Sequence, residues 1–155
     1  MIFRTLFFLV VNFGALALGG LLMGGSPADN EWYNSLNKAP WTPPGWVFGI
    51  AWTLIMICFS VYMARVFVEF KGRLLAQLML LFSLQFLANV LWNPVFFHWH
   101  FVILGLIVLT FLIVLLILIH LNFSGWKKFN NLLIAPYLLW LLIAFSLNLY
   151  VILFN

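Results

Sequence analysis

The sequence predicts an all-α integral membrane protein, a five-transmembrane-helix bundle in which residues 1–155 form one domain. Three observations carry this. The chain is 66% hydrophobic and 6% charged with a mean hydropathy of +1.17, against roughly 45–50% and 25% for soluble domains. Five apolar runs reach the length of about 20 residues that a spanning helix needs, at about 6–23, 46–68, 74–92, 101–121 and 132–154. The runs are continuous, whereas barrel strands would alternate over about ten residues.

The first run follows Arg4 and contains Ala15-Leu16-Ala17, a combination that also fits a secretory signal with its cleavage site. The apolar stretch continues through Leu21, Leu22 and Met23, and Gly14, Gly19, Gly20 and Gly24 suit close packing in lipid, so a retained helix is expected. The spacing of Gly20 and Gly24 is a single small-xxx-small match pointing to a helix contact.

Between the first two runs, at about 24–45, lies a polar loop rich in Trp and Pro. Its core is Trp32-Tyr33 followed by Lys38-Ala39-Pro40-Trp41-Thr42-Pro43-Pro44-Gly45-Trp46. Proline fixes φ and turns the preceding residue away from the helical region, so the segment should be stiff. Indole rings suit the bilayer interface or the cover of an apolar pocket, and a rigid aromatic lid over a bundle points to a ligand.

The second run carries Trp52, Met56, Phe59 and Met63 on one helical face, with Cys58 read as a packing residue; a single cysteine permits no internal disulfide. The third places Gln85, Asn89 and Trp92 at i, i+4, i+7. The fourth is nearly pure Leu, Ile, Val and Phe, interrupted by Thr110, and is expected to face mostly lipid. The fifth aligns Tyr137, Trp140, Ala144 and Asn148 at i, i+3, i+7, i+11. An amide in hydrocarbon must find a partner, so Gln85, Asn89 and Asn148 should face the interior, either to glue helices together or to meet a ligand.

Seven Lys and Arg against three acids are too sparse for a nucleic-acid surface, but they orient a membrane protein. Arg4, Arg65, Lys71, Arg73, Lys127 and Lys128 fall at one end of the bundle and Lys38 at the other. The positive-inside rule then puts the amino terminus in the cytoplasm and the Trp-Pro loop outside.

Conventional catalysis finds little support: the spans hold no Ser/His/Asp or Cys/His constellation, and Asp29, Glu31 and Glu69 form no pocket pair. Glu69 stands at i+4 from Arg65, a surface helix pair. His98 and His100, flanking Trp99, fit an interfacial position better than a metal or haem site, and His120 should reach the basic interface.

Three ordered blocks resemble the TspO/MBR family, the tryptophan-rich sensory proteins that include the mitochondrial translocator protein. They are the loop block from Trp32 to Pro44, then Ala88-Asn89-Val90-Leu91-Trp92-Asn93-Pro94-Val95-Phe96-Phe97, and Pro136-Tyr137-Leu138-Leu139-Trp140 running to Leu147-Asn148. The resemblance implies a usually dimeric five-helix protein that binds porphyrins, haem and related tetrapyrroles under the first loop, with no cofactor required, no metal ligands and no nucleic-acid partner. Its pocket residues would be Tyr33, Trp41, Pro44, Trp52, Asn89, Trp92, Trp140 and Ala144. Some bacterial members are proposed to degrade protoporphyrin in light, a reaction in which Trp52 and Trp140 would be the catalytic indoles. The resemblance therefore leaves two functions, a membrane sensor or carrier for tetrapyrroles and a porphyrin-degrading enzyme; a small transporter or structural subunit is the remaining class. One departure stands out: animal members carry a carboxyl-terminal sterol pattern that needs a basic residue after the tyrosine, and here only Val151-Ile152-Leu153-Phe154-Asn155 follow Tyr150. This puts sterol binding in doubt and argues for a bacterial member, for which the orientation above implies the inner membrane, the outer membrane of some family members being the alternative.

Overall fold

The computed structural model describes residues 1–124 and 128–155, and Lys127, counted above among the basic residues, lies outside them. Five long helices cross the molecule: α1 (Ile2–Met23), α3 (Gly45–Glu69), α4 (Gly72–Asn93), α5 (Val102–Ile119) and α6 (Lys128–Phe154). A short α2 (Glu31–Ser35) sits within the first loop. Two π-helical turns, at Pro94–His98 and His120–Ser124, lengthen α4 and α5 beyond the predicted runs, and α1 and α6 each begin four residues earlier than expected. Each span is long and apolar enough to cross a membrane. The outward faces stay apolar, as at Val10, Leu21, Ile103 and Leu132, which suits lipid as solvent.

The helices close into a ring in which α1 packs on α3 and α4, α3 on α6, α6 on α5 and α5 on α4. Helix α1 is thus wedged between α3 and α4, which follow one another in sequence. Close approach is achieved where side chains are small. A Cβ on Gly19 would come 2.5 Å from Asn93 Nδ2 and 3.4 Å from the Val90 carbonyl oxygen, so the glycine lets α1 meet α4 closely without displacing the Asn93 amide. This corrects the Gly20 and Gly24 expectation. Gly20 has open space where its side chain would be, and Gly24 ends α1 in the left-handed region at φ 84°, its N–H reaching the Leu21 carbonyl at 3.2 Å.

The fourth run faces mostly outward, as expected, with Ile103, Ile107, Phe111 and Val114 exposed, but it also carries an inward stripe. Helix α5 turns Gly105, Leu109, Leu112, Leu115, Leu116 and Ile119 inward, and 33% of its span is buried against 28% for α1 and α6. Closing a ring requires one inward face from every helix, and a helix of uniform apolarity carries no polar marker of which face that is.

The ring has two unlike ends. Arg4, Arg65, Lys71, Arg73 and Lys128 belong to the basic end, where Arg65 Nε donates to Asn130 Oδ1 at 3.0 Å and its guanidinium lies over the Phe129 ring. The first loop, the Pro94–His98 turn and the carboxyl terminus share the other, loop end. Asn30 caps α2 by accepting from the Tyr33 N–H at 2.8 Å, while its Nδ2 donates to the Phe97 carbonyl at 3.0 Å. Trp32 stacks on His100, whose backbone is left-handed at φ 58°. Asn155 holds the far side of the loop, accepting from the Asn37 N–H at 2.7 Å and donating to its carbonyl at 3.2 Å. The loop is therefore fastened to both the α4–α5 connection and the end of α6.

Candidate functional site: a cavity beneath the first loop

In the basic half the bundle is solid. Phe59, Tyr62, Met63, Leu78, Leu116, Ile119 and Tyr137 have next to no exposed surface. Amides there are used as glue: Asn12 Nδ2 donates to Ser60 Oγ at 2.8 Å, and Gln85 Nε2 donates to Tyr137 Oη at 2.7 Å. Gln85, one of the three amides proposed to face the interior, joins α4 to α6 in this way and is absent from the cavity walls. Met56, Phe59 and Met63 of the α3 stripe likewise pack into the core, and of that stripe Trp52 alone reaches the cavity.

Toward the loop end the ring opens into a cavity of about 710 Å³, within the roughly 300–1,000 Å³ range of small-molecule sites. All five long helices and the loop contribute. Helix α1 supplies Leu16, Gly20 and Met23; α3 supplies Phe48, Gly49 and Trp52; α4 supplies Asn89, Trp92 and Asn93. Leu109 and Leu112 come from α5, and Trp140, Leu141 and Ala144 from α6. Tyr33, Asn34, Lys38, Thr42 and Pro43 form the roof.

Ring contacts fix the walls. Phe48 meets Trp140 edge to face at 5.2 Å, Trp52 meets Tyr137 at 5.9 Å, and Trp92 stacks on Phe96 at 5.4 Å. Tyr33 stands edge-on to Phe97 at 5.2 Å, with Lys38 Nζ 4.3 Å above its ring centre. Burial disfavours the charged phenolate, so the Tyr33 pKa is raised and its hydroxyl remains a neutral donor.

Of the eight pocket residues expected from the sequence, six line this cavity together: Tyr33, Trp52, Asn89, Trp92, Trp140 and Ala144. Two stand elsewhere. Trp41 is 55% exposed, its Nε1 donating to Ser146 Oγ at 3.2 Å and its ring edge-on to Tyr150, so it clasps the flank of α6 rather than the cavity. Pro44 is the residue before α3, and its neighbours Pro43 and Gly45 take the wall in its place. Sequence reasoning missed Phe48, Lys38, Leu109 and Leu112. Phe48 could have been found one turn before Trp52 on the same face; the two leucines carry no signal on a uniformly apolar helix.

Asn89, only 7% exposed, lies on the cavity wall, and among the described residues it has no hydrogen-bond partner. That contrasts with Gln85, one turn earlier on the same face. The wall therefore combines broad indole and phenyl surfaces with an amide, the makeup of a site for a flat, largely apolar ligand with polar edges.

The sequence profile of the TspO/MBR family matches residues 7–153. The chain belongs to this family. Protein CrtK of Rhodobacter capsulatus is 35% identical to it over 93% of this chain and 89% of its own length. The tryptophan-rich sensory protein of Cereibacter sphaeroides is 33% identical over 86% and 87%, and the tryptophan-rich protein TspO of Chlorobaculum tepidum is 31% identical over 79% of each. The cavity described above thus lies in a TspO/MBR membrane bundle, and the loop and helix blocks that carried the resemblance form most of its walls.

Proposed function

We propose that the protein is a membrane sensor or carrier that binds a tetrapyrrole, a porphyrin or haem, inside the bundle beneath the first loop. The observation that carries this reading is the loop-capped cavity of about 710 Å³ faced with Trp52, Trp92, Trp140, Phe48 and Tyr33. Flat conjugated rings gain from stacking and edge contacts with such walls, and Asn89 supplies hydrogen bonding to a polar edge. The family resemblance supports the same ligand class. The bound state would be a homodimer in the cell membrane of a bacterium, with the basic end in the cytoplasm in accord with the positive-inside rule.

A second reading keeps the ligand and changes the outcome. Trp52 and Trp140 both face the cavity, so a photo-excited porphyrin bound there would have two indoles within its enclosure, as degradation of the ligand would require.

Titration of the purified protein with protoporphyrin and with haem tests both. Trp140→Phe and Asn89→Ala should each weaken binding at least several-fold while helix content stays, because losing a polar or indole contact in a dry site forfeits about 1–3 kcal/mol. Unchanged affinity in both variants would remove the cavity as the binding site. Loss of porphyrin absorbance under light with a defined product, dependent on both indoles, would favour the enzyme.

A further inference from the structure

A second, smaller cavity of about 30 Å³ adjoins the large one and shares with it Tyr33, Lys38, Trp92 and Ala144. Its distinguishing wall residue is Asn148 of α6, which is 2% exposed. Both Asn148 Oδ1 and Nδ2 are buried without a hydrogen-bond partner, and so is Trp92 Nε1 across the niche on α4. Each orphaned polar group costs free energy in an apolar interior, the more so in a membrane. Gln85 Oε1, Asn130 Nδ2 and Asn131 Oδ1 are orphaned too, but of these residues only Trp92 and Asn148 line a cavity. Asn148 also packs against α5: a Cβ on Gly105 would come within 2.9 Å of its Nδ2, so the glycine leaves room for the amide in this position.

The chemistry of the niche selects its occupant. Trp92 Nε1 can only donate, Asn148 can donate and accept, and Lys38 at the rim is, among the described residues, the one lysine or arginine at the loop end. No aspartate or glutamate lines either cavity. Space for water-sized groups totalling about 30 Å³ exceeds the roughly 10–15 Å³ one water needs and accommodates a group of two oxygen atoms. We infer that this niche is a carboxyl subsite, in which Asn148 and Trp92 hydrogen-bond a carboxyl group carried on an arm of the ligand while Lys38 compensates its charge at the entrance. The inference rests on the tetrapyrrole reading above and sharpens it: the preferred ligand bears a free acid side arm, its ring system in the large cavity and its arm in the small one.

Protoporphyrin and its dimethyl ester share one ring system and differ only at the carboxyl groups, so their affinity ratio isolates the niche. Tryptophan fluorescence quenching on the full-length protein in detergent should show wild type preferring the free acid by about tenfold, the worth of one charge-assisted contact. Asn148→Leu should bring that ratio close to one while leaving ester affinity within about twofold, and Lys38→Met, a loop change outside the helix packing, should lower the ratio in the same direction. A ratio retained in both variants overturns the subsite. A wild type that binds acid and ester equally overturns the subsite alone, whereas a wild type that binds neither overturns the tetrapyrrole reading and the subsite with it.

Discussion

The two halves of this bundle are made of the same helices and nearly the same residue types, yet one is solid and the other hollow. In the basic half, α3, α4 and α6 meet through Phe59, Tyr62, Leu78 and Tyr137, and amides bridge helices, as in Asn12 with Ser60 and Gln85 with Tyr137, although Gln85 Oε1, Asn130 Nδ2 and Asn131 Oδ1 stay unpartnered. In the loop half, Asn89, Trp92 and Asn148 belong to cavity walls, and Trp92 Nε1 and both polar atoms of Asn148 are buried without a protein partner. Lipid tails are as apolar as leucine, so neither half is held by a simple hydrophobic drive; packing contacts and interhelical hydrogen bonds must do it. The solid half therefore carries the stability, which frees the hollow half to leave contacts unmade for a ligand.

Core truncation should break that comparison most visibly. Phe59→Ala removes a ring with 0% exposure and should cost about 3–5 kcal/mol, whereas Phe48→Ala on the cavity wall should cost distinctly less, since one side of its ring already lacks neighbours. Thermal denaturation in detergent measures both, and equal losses would refute the division into halves.

A smaller effect is expected from Tyr137→Phe. It removes the acceptor of Gln85 Nε2, whose Oε1 is already unpartnered, and should lower stability by about 1 kcal/mol. Because the bond lies in the solid half, ligand affinity should move by less than twofold in the same preparation. A large affinity change would mean the two halves are coupled.

The smallest effect on stability, and a clear one on kinetics, is expected from replacing Pro43 and Pro44 together with glycine. The roof gains conformational freedom in the unbound state, so affinity should fall while helix content holds. Release should accelerate more than entry slows, because a looser lid opens more often yet still admits ligand. Stopped-flow porphyrin fluorescence gives both rates, and an unaltered dissociation rate would make the loop an interfacial anchor instead of a lid.

Much of this was legible in the sequence because membranes simplify the code. Continuous apolar runs mark helices almost irrespective of detail, and rare polar residues mark inward faces, which is why Asn89, Trp92 and Trp140 could be placed on the interior from helical phase. What phase could not resolve was depth. Gln85 and Asn89 share a face, but one turn of helix separates an amide clipped to Tyr137 from one on a cavity wall. Nor could it resolve loop side chains: Trp41 and Tyr33 belong to one block, yet Trp41 turns outward to Ser146 because a loop has no periodicity to fix direction. The π-helical turn at Pro94–His98 was likewise invisible, since apolar residues continue through it unbroken.

The order of helices around the ring bears on when the cavity comes into being. Helix α3 touches α6 directly, and that contact closes the circle of five long helices. Trp140 and Ala144 are delivered by α6, which follows the other four long helices in the sequence. A nascent chain with only its first four spans inserted would be an open arc, its future interior exposed sideways to lipid. The chamber is created only when α6 docks, so its presence reports that all five helices have assembled.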